Sequence, residues 1–140
     1  MKFLLNTIRH YWLTLVTMVV ISCLTLMDFS DMKAPENIAG MDKIVHLAMY
    51  FGFCVIFWFE SLKKSAGIMQ WYMVLDAIVF QIAFGGLMEY LQHTMTSYRS
   101  GDLMDFVYNV AGVLCAAVFT LFVTRPVIRK YYERKQMRGK

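Results

Sequence analysis

The chain has 140 residues, 59% of them hydrophobic and 17% charged, and its mean hydropathy is +0.49. That balance excludes an ordinary soluble domain and matches an integral membrane protein, and the length allows one compact domain. The net charge of +4 is unevenly placed: seven of the 14 Lys and Arg residues fall in the last 16 positions, a tail that suits a cytoplasmic flank facing anionic lipid and calls for no nucleic-acid partner.

Four apolar segments are long enough to cross a hydrocarbon core of about 30 Å, so the expected fold is all-α, an integral membrane bundle of four transmembrane helices. The first runs from Tyr11 to Met27. Lys2 and Arg9 ahead of it resemble the start of a secretory signal, and Val20-Ile21-Ser22-Cys23 resembles a weak lipoprotein cleavage site. The apolar run continues through Leu24 to Met27, however, and a retained span is the expectation. The connection from Asp28 to Met41, with Pro35 and Gly40 as breakers, has too few apolar residues for a core of its own.

The second span is read from Ile44 to Leu62, the third from Ile68 to Gln92 and the fourth from Leu103 to Thr124. Arg125-Pro126 is expected to end the fourth, since the residue before proline disfavours helical geometry. The basic tail, residues 125–140, follows. Glu60 is expected to pair with Lys64 four residues on. Asp76 and Gln81 lie deeper in the third span, and Asp76 marks a possible second, inner site. Cys23, Cys54 and Cys115 are odd in number, lie in apolar stretches and have no metal-site spacing, so they read as small buried hydrophobes. The long apolar runs lack the two-residue alternation of a barrel.

Basic residues set the orientation. Eleven (Lys2, Arg9, Lys63, Lys64 and the seven of the tail) fall on one side, and three (Lys33, Lys43 and Arg99) on the other. The positive-inside rule then places both termini in the cytoplasm of a multi-pass protein of the cytoplasmic (inner) membrane. Tyr11, Trp12, Trp58, Trp71 and Tyr72 fall at the inner boundary, as an aromatic belt would.

This topology brings three polar groups of residues to the outer side. They are Asp42-Lys43-x-x-His46-x-x-x-Tyr50, Glu89-x-x-Gln92-His93, and Arg99-x-x-Asp102-x-x-Asp105-x-x-x-Asn109. Within each span the steps of three and four place the polar residues on one helix face. Gly112 and Ala116 continue the Asn109 stripe, and Gly85 and Gly86 let the third span approach a neighbour. Charges near lipid are expensive, so these groups either pair with one another as a structural lock or line a site. In the second reading Lys43 and Arg99 meet a phosphate or carboxylate, and His46, Glu89 and Asp105 are candidate proton-transfer groups. A metal would have to draw on His46, His93, Glu89, Asp102 and Asp105. No ligand motif such as H-E-x-x-H is present, and no metal or other cofactor is expected.

The ordered set Asp42-Lys43-x-x-His46-x-x-x-Tyr50, Glu89-x-x-Gln92, Arg99 and Asp105-x-x-x-Asn109-x-x-Gly112 resembles the VanZ-like family of small bacterial membrane proteins. The resemblance covers about the central half of the chain. Many members carry proline or glycine just before the arginine, where this chain has Thr96-Ser97-Tyr98. The resemblance implies a multi-helix cell-envelope protein; the family's namesake is associated with low-level resistance to the glycopeptide teicoplanin. It implies Asp42, Lys43, His46, Glu89, Gln92, Arg99, Asp105 and Asn109 as functional candidates, to which the helical stripe adds Asp102.

The expected function is therefore an outward-facing polar site that binds an envelope lipid, a lipid-linked precursor or a lipoglycopeptide. Two other readings stay open: a membrane enzyme acting on a lipid phosphate or lipid-linked sugar, and a structural partner of another membrane protein. Membrane lipids are partners in every case.

Overall fold

The computed structural model describes residues 2–27, 41–95 and 103–138, and every regular element there is helical. A short helix α1 (Lys2–His10) breaks at Tyr11 and leads into α2 (Trp12–Leu26). Three long helices follow: α3 (Met41–Lys64), α4 (Trp71–Met95), and α5 (Leu103–Phe119), which runs through a π-helical turn (Thr120–Thr124) into α6 (Arg125–Arg138). Three segments, Met41–Lys64, Trp71–Met95 and Leu103–Arg138, are long and apolar enough to cross a membrane, and Trp12–Leu26 is a shorter apolar helix. The chain is a multi-pass, all-helical membrane protein. Its outer faces agree: Val19, Val79 and Phe122 are 62%, 65% and 77% exposed, although each is apolar, as surfaces solvated by lipid tails should be.

The bundle is built on α3 and α5, the most extensively packed helix pair. The buried face of α3 carries His46, Tyr50, Cys54 and Trp58 at steps of four, together with Phe53, Ser61 and Leu62. On α5 it carries Asp105, Asn109, Gly112, Val113 and Ala116. Small residues make this pairing possible. A Cβ on Gly112 would stand 2.5 Å from the Leu47 carbonyl oxygen and 3.0 Å from the Phe51 nitrogen, so only glycine admits the α3 backbone there. On α4, Gly85 lies against the Tyr50 ring and Asn109, while Gly86 faces Phe106. The core is completed by Phe53, Phe84, Met88, Val113 and Ile21.

Two long-range anchors fix α2. At its N-terminal end the Glu60 carboxylate accepts hydrogen bonds from the Leu13 and Thr14 backbone N–H groups (3.1 and 3.0 Å) and from the Thr14 hydroxyl (2.6 Å). Glu60 thus supplies, from another helix, the cap that α2 lacks locally. The expected Glu60–Lys64 pair does not form the main contact of either residue: Lys64 lies over the Tyr11 ring at 5.4 Å. At the other end of α2, the Gln92 amide donates to the Thr25 carbonyl at 3.1 Å.

Two further expectations are corrected. The last helix does not stop at Arg125-Pro126 but continues to Arg138. The Arg125 N–H bonds back to the Thr120 carbonyl, five residues earlier. This wider turn places Pro126 in the first turn of a renewed helix, where its missing N–H and its ring are tolerated. Trp58, expected in the interfacial belt, is 1% exposed because it continues the buried stripe of α3. Trp12, Trp71 and Tyr72 are exposed, as a belt requires.

Opposite the end where α3 and α5 begin, the α3–α4 turn docks on α6. Ala66 and Gly67 adopt left-handed backbone angles (φ 51° and 81°), and Gly67 packs against the backbone of Arg129 so closely that a Cβ would sit 2.9 Å from its Cα. The Tyr132 hydroxyl donates to the Lys63 carbonyl at 3.0 Å.

Candidate functional site

The start of α3, the end of α4 and the start of α5 converge at one end of the bundle, and four of the candidate residues meet there. His46 lies about one turn into α3, Glu89 about two turns from the end of α4, and Asp105 and Asn109 in the first two turns of α5. Their side chains are shielded: His46 is 6% exposed, Glu89 11% and Asp105 3%.

Asn109 organises the group. Its Nδ2 donates to Glu89 Oε1 at 3.3 Å, which turns its Oδ1 toward His46 Nδ1, 3.1 Å away. An amide oxygen only accepts, so Nδ1 carries the proton of this bond. The other ring nitrogen, Nε2, then faces Asp105 Oδ2 at 3.7 Å, while Nδ1 also stands 3.6 Å from Glu89 Oε1. The imidazole is bracketed by two carboxylates, one toward each edge of the ring. One ligand atom each from His46, Glu89 and Asp105 lies within 4.8 Å of the others.

One turn further along α3, Tyr50 is buried beneath this group, with its ring against Gly85 beside Asn109. Its hydroxyl has no hydrogen-bond partner among the described residues. Further along the same stripe the Cys54 thiol donates to Gln81 Oε1 at 2.7 Å. Gln81 Nε2, Trp58 Nε1 and Thr120 Oγ1 are likewise buried without partners among the described residues.

The other candidates are placed differently. Asp42 and Lys43 lie at the more exposed start of α3, their charged groups 3.5 Å apart, at the rim rather than in the buried group. Gln92 is buried, but its amide holds α2. His93 is exposed. Arg99 and Asp102 lie outside the described residues. At the opposite end, Asp76 is exposed and lines a groove of about 330 Å³ with Tyr11, Phe57, Trp58 and Ser61. Cys54 is buried, whereas Cys23 and Cys115 are on the outer surface of the bundle.

Sequence reasoning missed two polar side chains that act across helices: Thr14 on α2, and Gln81 as the partner of Cys54. Only their types gave a signal, as hydrogen-bonding groups within apolar runs. No family model, curated protein or solved structure matches the chain.

Proposed function

We propose that the chain is a VanZ-like cell-envelope protein with four spans and both termini in the cytoplasm. Its His46–Glu89–Asp105–Asn109 group is the floor of an outward-facing recognition site for the polar head of an envelope lipid, a lipid-linked precursor or a lipoglycopeptide. The observation that carries this reading is the bracketed imidazole. A helix lock alone needs paired charges. Here an amide fixes the ring's tautomer and presents Nε2 beside a second carboxylate, an arrangement suited to exchanging a proton or ligand.

The position supports the reading as well. The group lies where three helices end, near the depth at which head groups meet the hydrocarbon, with Asp42 and Lys43 at the rim. The basic tail and the Lys63-Lys64 pair lie at the other end and favour that end as cytoplasmic. At 15 residues, α2 is only about 22 Å long, so a first crossing there requires flanking residues or local thinning of the bilayer.

The test is native mass spectrometry of wild type and Arg99→Ala against a panel of anionic phospholipids, a lipid-linked precursor and teicoplanin, with thermal stability read in parallel. Selective binding lost in the variant at unchanged stability supports recognition. Equal binding by both proteins, or none by either, contradicts it.

The same bracketed imidazole favours a second reading, a membrane enzyme acting on a lipid phosphate. It requires turnover that His46→Ala and Glu89→Gln abolish without unfolding the protein.

A further inference from the structure

We infer that a cleft between the α3–α4 turn and α6 is a binding site for the phosphodiester of an anionic phospholipid, held by Arg125 and Arg129. The cleft lies at the opposite end of the bundle from the His46 group, and the inference does not depend on the recognition reading.

The cleft follows from local sequence. Arg125, Arg129, Tyr132, Glu133 and Gln136 are spaced by threes and fours and share one face of α6. The π-helical turn just before them inserts one extra residue, which rotates everything after it by about 100° relative to an unbroken α5. Their face meets the α3–α4 turn. There Gly67 packs on the Arg129 backbone, and the Tyr132 hydroxyl donates to the Lys63 carbonyl at 3.0 Å. Both contacts fix the walls. Between them is a space of about 340 Å³. Ligand pockets run from about 300 to 1,000 Å³, so this one suits a head group rather than a whole lipid.

The donors are the arginines. The turn supplies none, because the Gly67 N–H bonds to the Leu62 carbonyl at 2.8 Å and the Ile68 N–H to the Ser65 carbonyl at 3.0 Å. Arg129 Nε donates to Glu133 Oε1 at 2.9 Å, which leaves its two terminal amino groups. The half-buried Arg125 side chain has no hydrogen bond or ion pair among the described residues. A guanidinium keeps its charge and carries five donors. Two of them, four residues apart on one helix face, suit the several acceptor oxygens of a phosphate.

Charge and depth select the ligand. Arg125, Arg129 and Glu133 together carry one net positive charge, the complement of the single negative charge on a phosphodiester. The apolar run from Leu103 to Thr124 is about 33 Å long as a helix, close to a hydrocarbon core of about 30 Å. Arg125 is the next residue, and so stands at head-group level, where the phosphates of a leaflet lie.

The experiment is native mass spectrometry of the full-length protein in detergent, with thermal stability read in parallel. The protein is titrated with phosphatidylglycerol, phosphatidylethanolamine and phosphatidylcholine of identical chains. Wild type should prefer phosphatidylglycerol. Arg125→Gln and Arg129→Gln should each weaken that binding roughly tenfold, as loss of a charged donor does. Lys130→Gln and Arg134→Gln remove the same charge from exposed positions outside the cleft, and should change it less than about twofold. Glu133→Gln removes the competing carboxylate and should tighten binding, a gain that a misfolded variant would not show.

Equal losses in all four Arg and Lys variants would overturn the site in favour of diffuse attraction to the basic tail, as would the absence of any preference among the lipids. A preference for phosphatidylethanolamine that Glu133→Gln weakens would overturn the anionic lipid and make Glu133 the partner of an ammonium. Displacement by micromolar glycerophosphoglycerol, the same phosphodiester without chains, would overturn the lipid as ligand and assign the cleft to a soluble phosphate ester.

Discussion

Gly112→Ala tests the packing that holds the site together. The new Cβ would lie 2.5 Å from the Leu47 carbonyl oxygen, against a backbone that cannot swing aside as a side chain does. Ordinary contact begins near 3.4 Å, so α3 and α5 must part by about 0.9 Å at this level. Overpacking of this kind costs about 1–3 kcal/mol. The displacement reaches the site directly, because Leu47 follows His46 and Gly112 lies one turn beyond Asn109. Transmitted in full, it would stretch the 3.1 Å His46–Asn109 bond to roughly 4 Å, beyond hydrogen-bonding range. The expected result is a Tm several degrees lower in detergent, with the His46 ring proton signals shifted in NMR even below the transition. A Gly112→Ala protein with wild-type Tm and unshifted His46 resonances would refute the close α3–α5 approach.

Glu60→Ala should destabilise the protein by about 2–3 kcal/mol, since it leaves the buried Thr14 N–H and hydroxyl and the part-buried Leu13 N–H without their acceptor. Glu60→Gln, which keeps an acceptor, should lose less. Thr14→Val should cost about 1 kcal/mol, and in denaturant titrations its effect should vanish in a Glu60→Ala background; additive losses would contradict the shared contact. Glu133→Ala removes a pair with Arg129 whose side chains are 54% and 63% exposed, and should change stability by less than about 0.5 kcal/mol. A larger loss would mean that this pair also anchors the α3–α4 turn.

Much of the fold was legible because the driving patterns are local. Runs of apolar residues marked the long helices, and three- and four-residue steps put His46 with Tyr50, and Asp105 with Asn109, on single faces. The small residues Gly85 and Gly112 marked where helices approach. What escaped depends on contacts between segments. Glu60 has a plausible partner in Lys64 four residues away, and only the arrival of the α2 N-terminus makes it a cap. Pro126 carries a local signal to stop, which a π-helical turn just before it absorbs. Trp58 and an interfacial tryptophan have the same composition around them, and the stripe of α3 decides between core and belt. His46, Glu89 and Asp105 were named as candidates from the polar residues at the ends of their spans, but the order in which they meet around the imidazole depends on three helices with no fixed spacing between them.

The most direct test of the central claim is a ligand-dependent thermal shift on wild type and His46→Gln, using the lipid or glycopeptide that wild type selects. Glutamine keeps an amide where the ring stood, so the packing around Asn109 can survive. A ligand at 100 times its Kd stabilises a protein by about 2.7 kcal/mol. The account predicts a clear ligand-dependent rise in Tm for wild type, and a His46→Gln protein with near-normal basal Tm and no rise. An equal rise in both proteins, or a variant whose basal Tm collapses while wild type responds to no ligand, would contradict it and leave the His46 group as a lock between helices.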